Sequence, residues 1–223
     1  MRIKACLFDL YGTLLDLQSV LILASSPLGP LADSVLSLWR QKQLEYSWVN
    51  SLRGTYRNFE ELTKESLRYA LAYHKIQDER VFDILAQAYE QLKAYDDVKN
   101  HINALKKSGL ITGILSNGSP GMIDKGLQNA GLADMFSPVL SIDKVRIFKP
   151  APLVYQMACD ELQLDKSEIG FVSANSWDAA GAHQFGLQVV RIMRGAILPN
   201  EYQTSSLPTI TNLGQLQNCL MKI

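Results

Sequence analysis

Short apolar runs and helical stripes alternate along this chain, and the change of period between them divides it into two kinds of segment. Residues 3–8 form a compact, largely apolar run, and similar runs recur at 110–115, 138–142, 169–172 and 187–192. Runs of this length without polar alternation mark strands buried on both faces. Helical patterns lie between the later runs, so the chain beyond residue 96 predicts an α/β fold: a parallel sheet covered by helices. The functional groups of such a sheet gather beyond the carboxyl ends of its strands, and Asp9, Ser116 and Ser173 all fall at such ends. Residues 34–92 read differently. Leu36, Leu38, Trp39, Leu44, Trp48 and Leu52, then Leu62, Leu67, Leu71, Phe82, Leu85, Ala86 and Tyr89, follow helical spacing with no strand signal between them. Breaks are expected near Gly54 and at Gln77-Asp78, where Asp78 caps the next helix. The expected organisation is a catalytic core of residues 1–15 and 96–223 with a helical cap, 16–95, inserted after the first strand.

The composition narrows the partners. Of 223 residues, 47% are hydrophobic and 20% charged, enough apolar material for a sizeable core. Lys plus Arg equals Asp plus Glu at 22 each, so no overall basic field exists to hold a nucleic acid, and a small-molecule partner is expected instead. Asp9 ends the first apolar run before it reaches the length of a signal peptide's hydrophobic region. The run at 20–24 meets Ser25, Pro27 and Pro30 too soon to span a bilayer, which points to a cytoplasmic protein with no membrane partner. Cys6, Cys159 and Cys219 are odd in number and lack metal-type spacing, as expected of reduced packing thiols. His74, His101 and His183 match no metal or triad spacing.

The stretch Phe8-Asp9-Leu10-Tyr11-Gly12-Thr13-Leu14 sets a carboxylate at a strand tip. There it can serve as nucleophile, metal ligand or turn-former. Two residues later stands Tyr11 rather than a second acid. Taken singly, the other polar positions also have plain readings. Thr13 reads equally as a helix cap, Arg40 as a solvated helix cation, and Lys149 as a loop lysine before Pro150. Tyr155, Phe59 and Trp177 read as core packing. Neither Ser116-Asn117-Gly118 nor Ser173-Ala174-Asn175 resembles a serine nucleophile elbow.

Together, however, Asp9-x-Tyr11-Gly12-Thr13, Ser116-Asn117-Gly118, Lys149-Pro150 and Ser173-x-Asn175-x-x-Asp178 stand in an order that resembles the haloacid dehalogenase superfamily. The cap segment Leu38-Trp39-Arg40-Gln41-Lys42-Gln43-Leu44-Glu45-Tyr46 is similar to the L-2-haloacid dehalogenases within it, and the likeness spans nearly the whole chain. The fold it implies is a Rossmann-like core carrying a helical-bundle cap. Phosphatases of the superfamily use a second acid to protonate an alkoxide leaving group and a magnesium ion held by further acids. Here those positions are Tyr11, Ser173 and Asn175, with Asp178 alone retained. A halide leaves without a proton.

The resemblance therefore implies that Asp9 displaces the halide of an (S)-2-haloalkanoate with inversion, and that water hydrolyses the resulting aspartyl ester to the (R)-2-hydroxyacid, with no metal or organic cofactor. It implies that Lys149 keeps Asp9 ionised while Thr13 and Ser173 donate hydrogen bonds that orient it. Ser116 and the amides near Leu10 and Tyr11 would cradle the substrate carboxylate. Arg40 would meet the halide with Asn117 beside it, and Gln41, Leu44, Phe59 and Trp177 would wall the halogen and alkyl group. Tyr155, Asn175 and Asp178 complete the set, Asp178 either holding Lys149 or assisting the hydrolytic water. Relatives are commonly homodimers. Residues 189–194 depart from the family pattern and are expected to lie away from the chemistry. A magnesium-dependent phosphatase of the same fold and a catalytically silent member are the alternatives.

Overall fold

The computed structural model describes residues 3–195, 201–202 and 204–222. Met1, Arg2, residues 196–200, Gln203 and Ile223, all within the segments expected to form the core, lie outside the described residues. The first apolar run folds as strand β1 (Ala5–Phe8), buried throughout. A two-residue strand β2 (Leu15–Asp16) follows, then helices α1 (Ser19–Leu28), α2 (Ala32–Arg53), α3 (Phe59–Tyr73) and α4 (Glu79–Glu90), and a second short strand β3 (Lys93–Ala94). From there helices and strands alternate: α5 (Val98–Lys107), β4 (Ile111–Ser116), α6 (Pro120–Asn129), β5 (Val139–Ser141), α7 (Pro152–Leu162) and β6 (Ile169–Ser173). The chain continues through α8 (Ser176–Phe185), β7 (Gln188–Ile192), β8 (Thr209–Ile210) and α9 (Leu216–Leu220).

Among the described residues, six strands form one sheet in the order β5-β4-β1-β6-β7-β8, and every neighbouring pair is parallel. Helix α5 packs on β4, α6 on β5, and α8 on both β6 and β7. Covered in this way, the strands shed the polar alternation of a half-exposed sheet, which is why they read as unbroken apolar runs. Strand β1 lies between β4 and β6, where the strand order reverses direction, and the crevice beyond such a strand is where α/β sheets bind their ligands. Phe8 pairs with both Ile114 and Val172, and the Asp9 amide donates to the Val172 carbonyl at 3.0 Å. One residue further along that register, Asp9 comes level with Leu115 and Ser173.

The four helices between β2 and β3 form the insertion. Its two ends are joined by the antiparallel pairs Leu15↔Ala94 and Asp16↔Lys93. Within it α2 packs along α3, and the buried positions of α2 are Ala32, Val35, Trp39, Gln43 and Ser47. That stripe has the spacing of a helix face, yet ends in two polar residues. Gly54 ends α2 in a left-handed conformation, and the Asp78 carboxylate caps α4 by accepting from the Arg80 amide at 2.9 Å, as the sequence leads one to expect. Helix α1 runs through Pro27 instead of stopping before it. A proline in the final turn removes only one backbone donor, so the apolar run and its proline share one helix. No described helix is long and apolar enough to cross a membrane. The three cysteines are unpaired, Cys6 and Cys159 being buried.

Candidate active site

Asp9 follows β1 directly and is only 5% exposed. The next turn closes with Gly12 at a φ of 84°, a conformation that favours glycine, and brings Thr13 back over the carboxylate. Thr13 Oγ1 donates to Asp9 Oδ2 at 2.8 Å and accepts from the Ala174 amide at 2.9 Å. Thr13 caps no helix, because strand β2 separates it from α1. Asn175 Nδ2 is the second donor to Asp9 Oδ2, at 2.8 Å, and also reaches the Tyr11 carbonyl at 3.2 Å. Oδ1 faces Lys149, whose Nζ lies 3.2 Å away. One carboxylate oxygen is thus held by two neutral donors and the other by an ammonium.

Lys149 is completely buried and lies between two acids, with Asp178 Oδ2 at 2.8 Å on its other side. Burial alone lowers an ammonium's pKa. Here the carboxylates of Asp178 and Asp9 outweigh it and leave Lys149 above its ordinary value, hence charged. Its nitrogen also stands 4.9 Å from the centre of the Phe171 ring. Its backbone is fixed independently, since the amide donates to Asn117 Oδ1 at 3.0 Å and Trp48 Nε1 donates to the carbonyl at 3.1 Å. Asp178 in turn accepts from Ser173 Oγ at 3.1 Å and from the Tyr155 hydroxyl at 2.8 Å. Burial, together with the Asp178 charge, keeps the Tyr155 phenol far above its usual pKa, and therefore a donor.

These contacts correct two expectations. Ser173 orients Asp178 rather than Asp9, because the side chain leaving the end of β6 reaches the α8 carboxylate first, and Asn175 supplies the donor that Asp9 lacks. The 189–194 segment is not remote. Arg194 Nε donates to the Thr13 carbonyl at 2.9 Å while its Nη1 pairs with Asp97 at 2.8 Å, bracing the turn that carries Thr13.

The remaining candidates surround this network. Ser116, buried at the end of β4, accepts from the Gly118 amide at 3.1 Å, which leaves its own proton free to donate. Among the described residues, no acceptor meets the amides of Leu10 and Tyr11. The Tyr11 ring stacks on Tyr89 of α4 at 5.4 Å, and a Cβ at Gly118 would come within 3.0 Å of it, so the Ser-Asn-Gly sequence needs its glycine to make room for Tyr11. Arg40 Nη2 reaches Asn175 Oδ1 at 3.4 Å. Trp177 meets Trp48 edge-on at 5.6 Å, and Phe59 packs on Phe148 at 5.8 Å, beside Lys149. Gln41 and Leu44 take no part in these contacts: Leu44 is half-buried, and Gln41 is exposed on α2, lining with Arg40 a cavity of about 460 Å³. Sequence reasoning missed Trp48 and Gln43. A glutamine following Ala32, Val35 and Trp39 on one helix face was the available signal for Gln43, whereas Trp48 read as ordinary core.

Burial pushes the Asp178 carboxyl up; Lys149 opposes this and the Asp9 charge adds to it, leaving Asp178 at about 6. Above that value Asp178 is ionised and holds Lys149; below it the acid takes a proton and the pairing is lost. Turnover is expected to fall along a one-proton limb as pH drops through about 6. A kcat profile flat from about pH 5 to 7 would count against this role. The folding consequence has the opposite sign. Because the native chain binds this proton more tightly than the unfolded one, the contribution to stability is fully present below the ordinary 3.8 and lost as pH rises through about 6.

Among the described residues, no group of three His, Cys, Asp or Glu side chains is arranged to hold a metal ion; an ammonium lies between the site's two carboxylates. Known proteins resemble this chain along almost its whole length. A family profile described as haloacid dehalogenase-like hydrolase matches residues 3–186. The chain is 41% identical over 218 residues to (S)-2-haloacid dehalogenase 1 of Pseudomonas sp. (strain CBS-3), covering 95% of this chain and 96% of that protein. It is 40% identical to (S)-2-haloacid dehalogenase 4A of Burkholderia cepacia, covering 99% and 96%. The structure of L-2-haloacid dehalogenase from Xanthobacter autotrophicus with chloropropionic acid covalently bound superposes with a TM-score of 0.88 at 35% identity, covering 99% of each chain. Matched by that profile over most of its length and by relatives of this similarity along almost all of it, the chain belongs to the haloacid dehalogenase-like hydrolases, among the (S)-2-haloacid dehalogenases.

Proposed function

We propose that this protein hydrolyses (S)-2-haloalkanoates to (R)-2-hydroxyalkanoates through an ester on Asp9. The observation that carries the reading is an aspartate held by three donors at a strand tip with no acid at position 11 to protonate a leaving group. Oδ2 is occupied by Thr13 and Asn175, so Oδ1 attacks C2 from the side opposite the halogen. The new O–C2 bond forms as the carbon–halogen bond breaks, and its electron pair leaves with the halide. Water then attacks the Asp9 carboxyl carbon, the acyl–oxygen bond breaks, and hydroxyacid and one proton are released.

Lys149 sets its ammonium against Asp9 Oδ1 and aligns it, Asp178 holds Lys149, and Tyr155 and Ser173 hold Asp178. In this scheme Ser116 and the Leu10 and Tyr11 amides bind the substrate carboxylate, and Arg40 meets the halide. Asn117 contributes by fixing the Lys149 backbone. Phe59, Trp177, Leu44 and Gln41 bound the space for the halogen and alkyl group. Residues 16–95 act as a cap over a core made of 1–15 and 96–223. The reading extends to a cytoplasmic homodimer: unpaired cysteines suit a reducing compartment, and Ile22 and Leu52 leave apolar surface on α1 and α2.

Halide release from the separate enantiomers of 2-chloropropionate, with and without a chelator, tests the proposal. Release from the (S) enantiomer alone, unchanged by the chelator, is expected. Chelator-sensitive hydrolysis of a phosphate monoester without halide release would identify a phosphatase instead, and no turnover of either substrate a silent member.

A further inference from the structure

Arg40 has more freedom than its proposed task allows. Toward the strand tips its contact is Asn175 Oδ1, at a loose 3.4 Å, and its side chain lines the cavity of about 460 Å³ together with Val20, Leu36 and Tyr89. A long flexible cation beside open space loses its alignment unless something else fixes it. That fixture is one turn away on the same helix. Gln43 is fully buried, and its carboxamide oxygen accepts from Arg40 Nη1 at 2.6 Å. Its nitrogen donates to Thr63 Oγ1 at 2.6 Å, and Thr63 Oγ1 itself donates to the Phe59 carbonyl at 2.6 Å.

The Thr63 hydroxyl has thus spent its proton and can only accept from Gln43, which settles which end of the carboxamide faces which partner: nitrogen to Thr63, oxygen to Arg40. Trp39 Nε1, donating to the Thr63 carbonyl at 2.8 Å, clamps the same turn of α3 onto α2. The Tyr89 hydroxyl stands 3.3 Å from the Gln43 nitrogen. A buried polar residue so fully engaged holds a single conformation.

We infer that Gln43 is a positioning residue for the leaving group: a neutral acceptor that fixes the Arg40 guanidinium without pairing its charge, so that the charge is kept for the departing halide. The inference rests on the reading that Arg40 meets the halide. A glutamate at 43 would still accept from Arg40, but it would pair the Arg40 charge and set its second oxygen against Thr63 Oγ1, which has no proton left to donate. The amide serves both partners: its nitrogen suits the Thr63 acceptor, and its neutral oxygen leaves the Arg40 charge unpaired.

The test compares Gln43→Met, Gln43→Glu and Arg40→Lys, using single-turnover halide release from (S)-2-chloropropionate and (S)-2-bromopropionate and product inhibition by bromide. Gln43→Met preserves length and removes the acceptor. It should slow chloride release about tenfold, slow bromide release less, and weaken bromide inhibition by a similar factor. Gln43→Glu, nearly the same shape, should reproduce the weaker bromide inhibition and the raised bromo-to-chloro rate ratio, and it keeps the question answerable if Gln43→Met does not fold. If both Gln43 variants leave that ratio and the inhibition unchanged while Arg40→Lys alters them, Gln43 only packs and the inference is wrong, though the reading of Arg40 stands. If Arg40→Lys also alters neither, both fall.

Discussion

Replacing Asp9 by asparagine is expected to lower halide release by a factor of about 10⁴ or more while the protein still folds. The exchange is nearly isosteric, so Thr13, Asn175 and Lys149 keep a polar neighbour, but a carboxamide is not a nucleophile and leaves Lys149 with one acid in place of two. The covalent step can be seen directly. Single-turnover reaction of the wild-type enzyme in oxygen-18 water should place the label in Asp9, because water attacks the aspartyl carbonyl while the product takes its oxygen from the enzyme. Label appearing in the hydroxyacid in that first turnover would mean that water attacks the substrate carbon, with Asp9 acting only as base.

Lys149→Ala is the second large effect, and it should be felt in both rate and stability. Removing one member of a buried ion pair costs about 3–5 kcal/mol because a charge is left without its partner. Here two carboxylates would face each other in a site where Asp9 is 5% exposed and Asp178 is completely buried. With no ammonium between them the two acids repel, and a nucleophile no longer aligned should lose roughly 10³-fold in rate. Halide-release kinetics and a denaturant midpoint measure the two losses separately. The fold itself should persist, since Asn117 and Trp48 grip the backbone of residue 149 whatever its side chain. Near-normal turnover in this variant would remove Lys149 from the mechanism.

How much of this was legible in the sequence follows from how each feature is encoded. Five strands of the sheet announced themselves as apolar runs, and the breaks at Gly54 and Asp78 followed from local backbone chemistry. Strands β2, β3 and β8 have two residues each, too few to carry any period, and exist only because a partner strand lies alongside. At the site, the residues that terminate strands or follow them directly could be anticipated. The division of labour among them could not. Whether Ser173 reaches Asp9 or Asp178 depends on how far α8 brings its first turn over the sheet, and no local pattern records that distance. Arg194 illustrates the same limit: 181 residues separate it from the Thr13 carbonyl it braces, and only the assembled fold brings them together.

The stacking of Tyr11 on Tyr89 has a consequence for how this protein can change over generations. At the position where its phosphatase siblings keep a proton donor, this chain keeps a piece of masonry: the ring fastens the strand tip to α4 and fills the room that Gly118 leaves. A single Tyr11→Asp exchange would set a further carboxylate beside Asp9 and at the same time loosen α4 from the loop beneath it. Leaving-group preference and the attachment of the helical insertion are therefore inherited together. A lineage leaving halide chemistry would have to rebuild the contacts at 89 and 118 before a new acid at 11 could serve it.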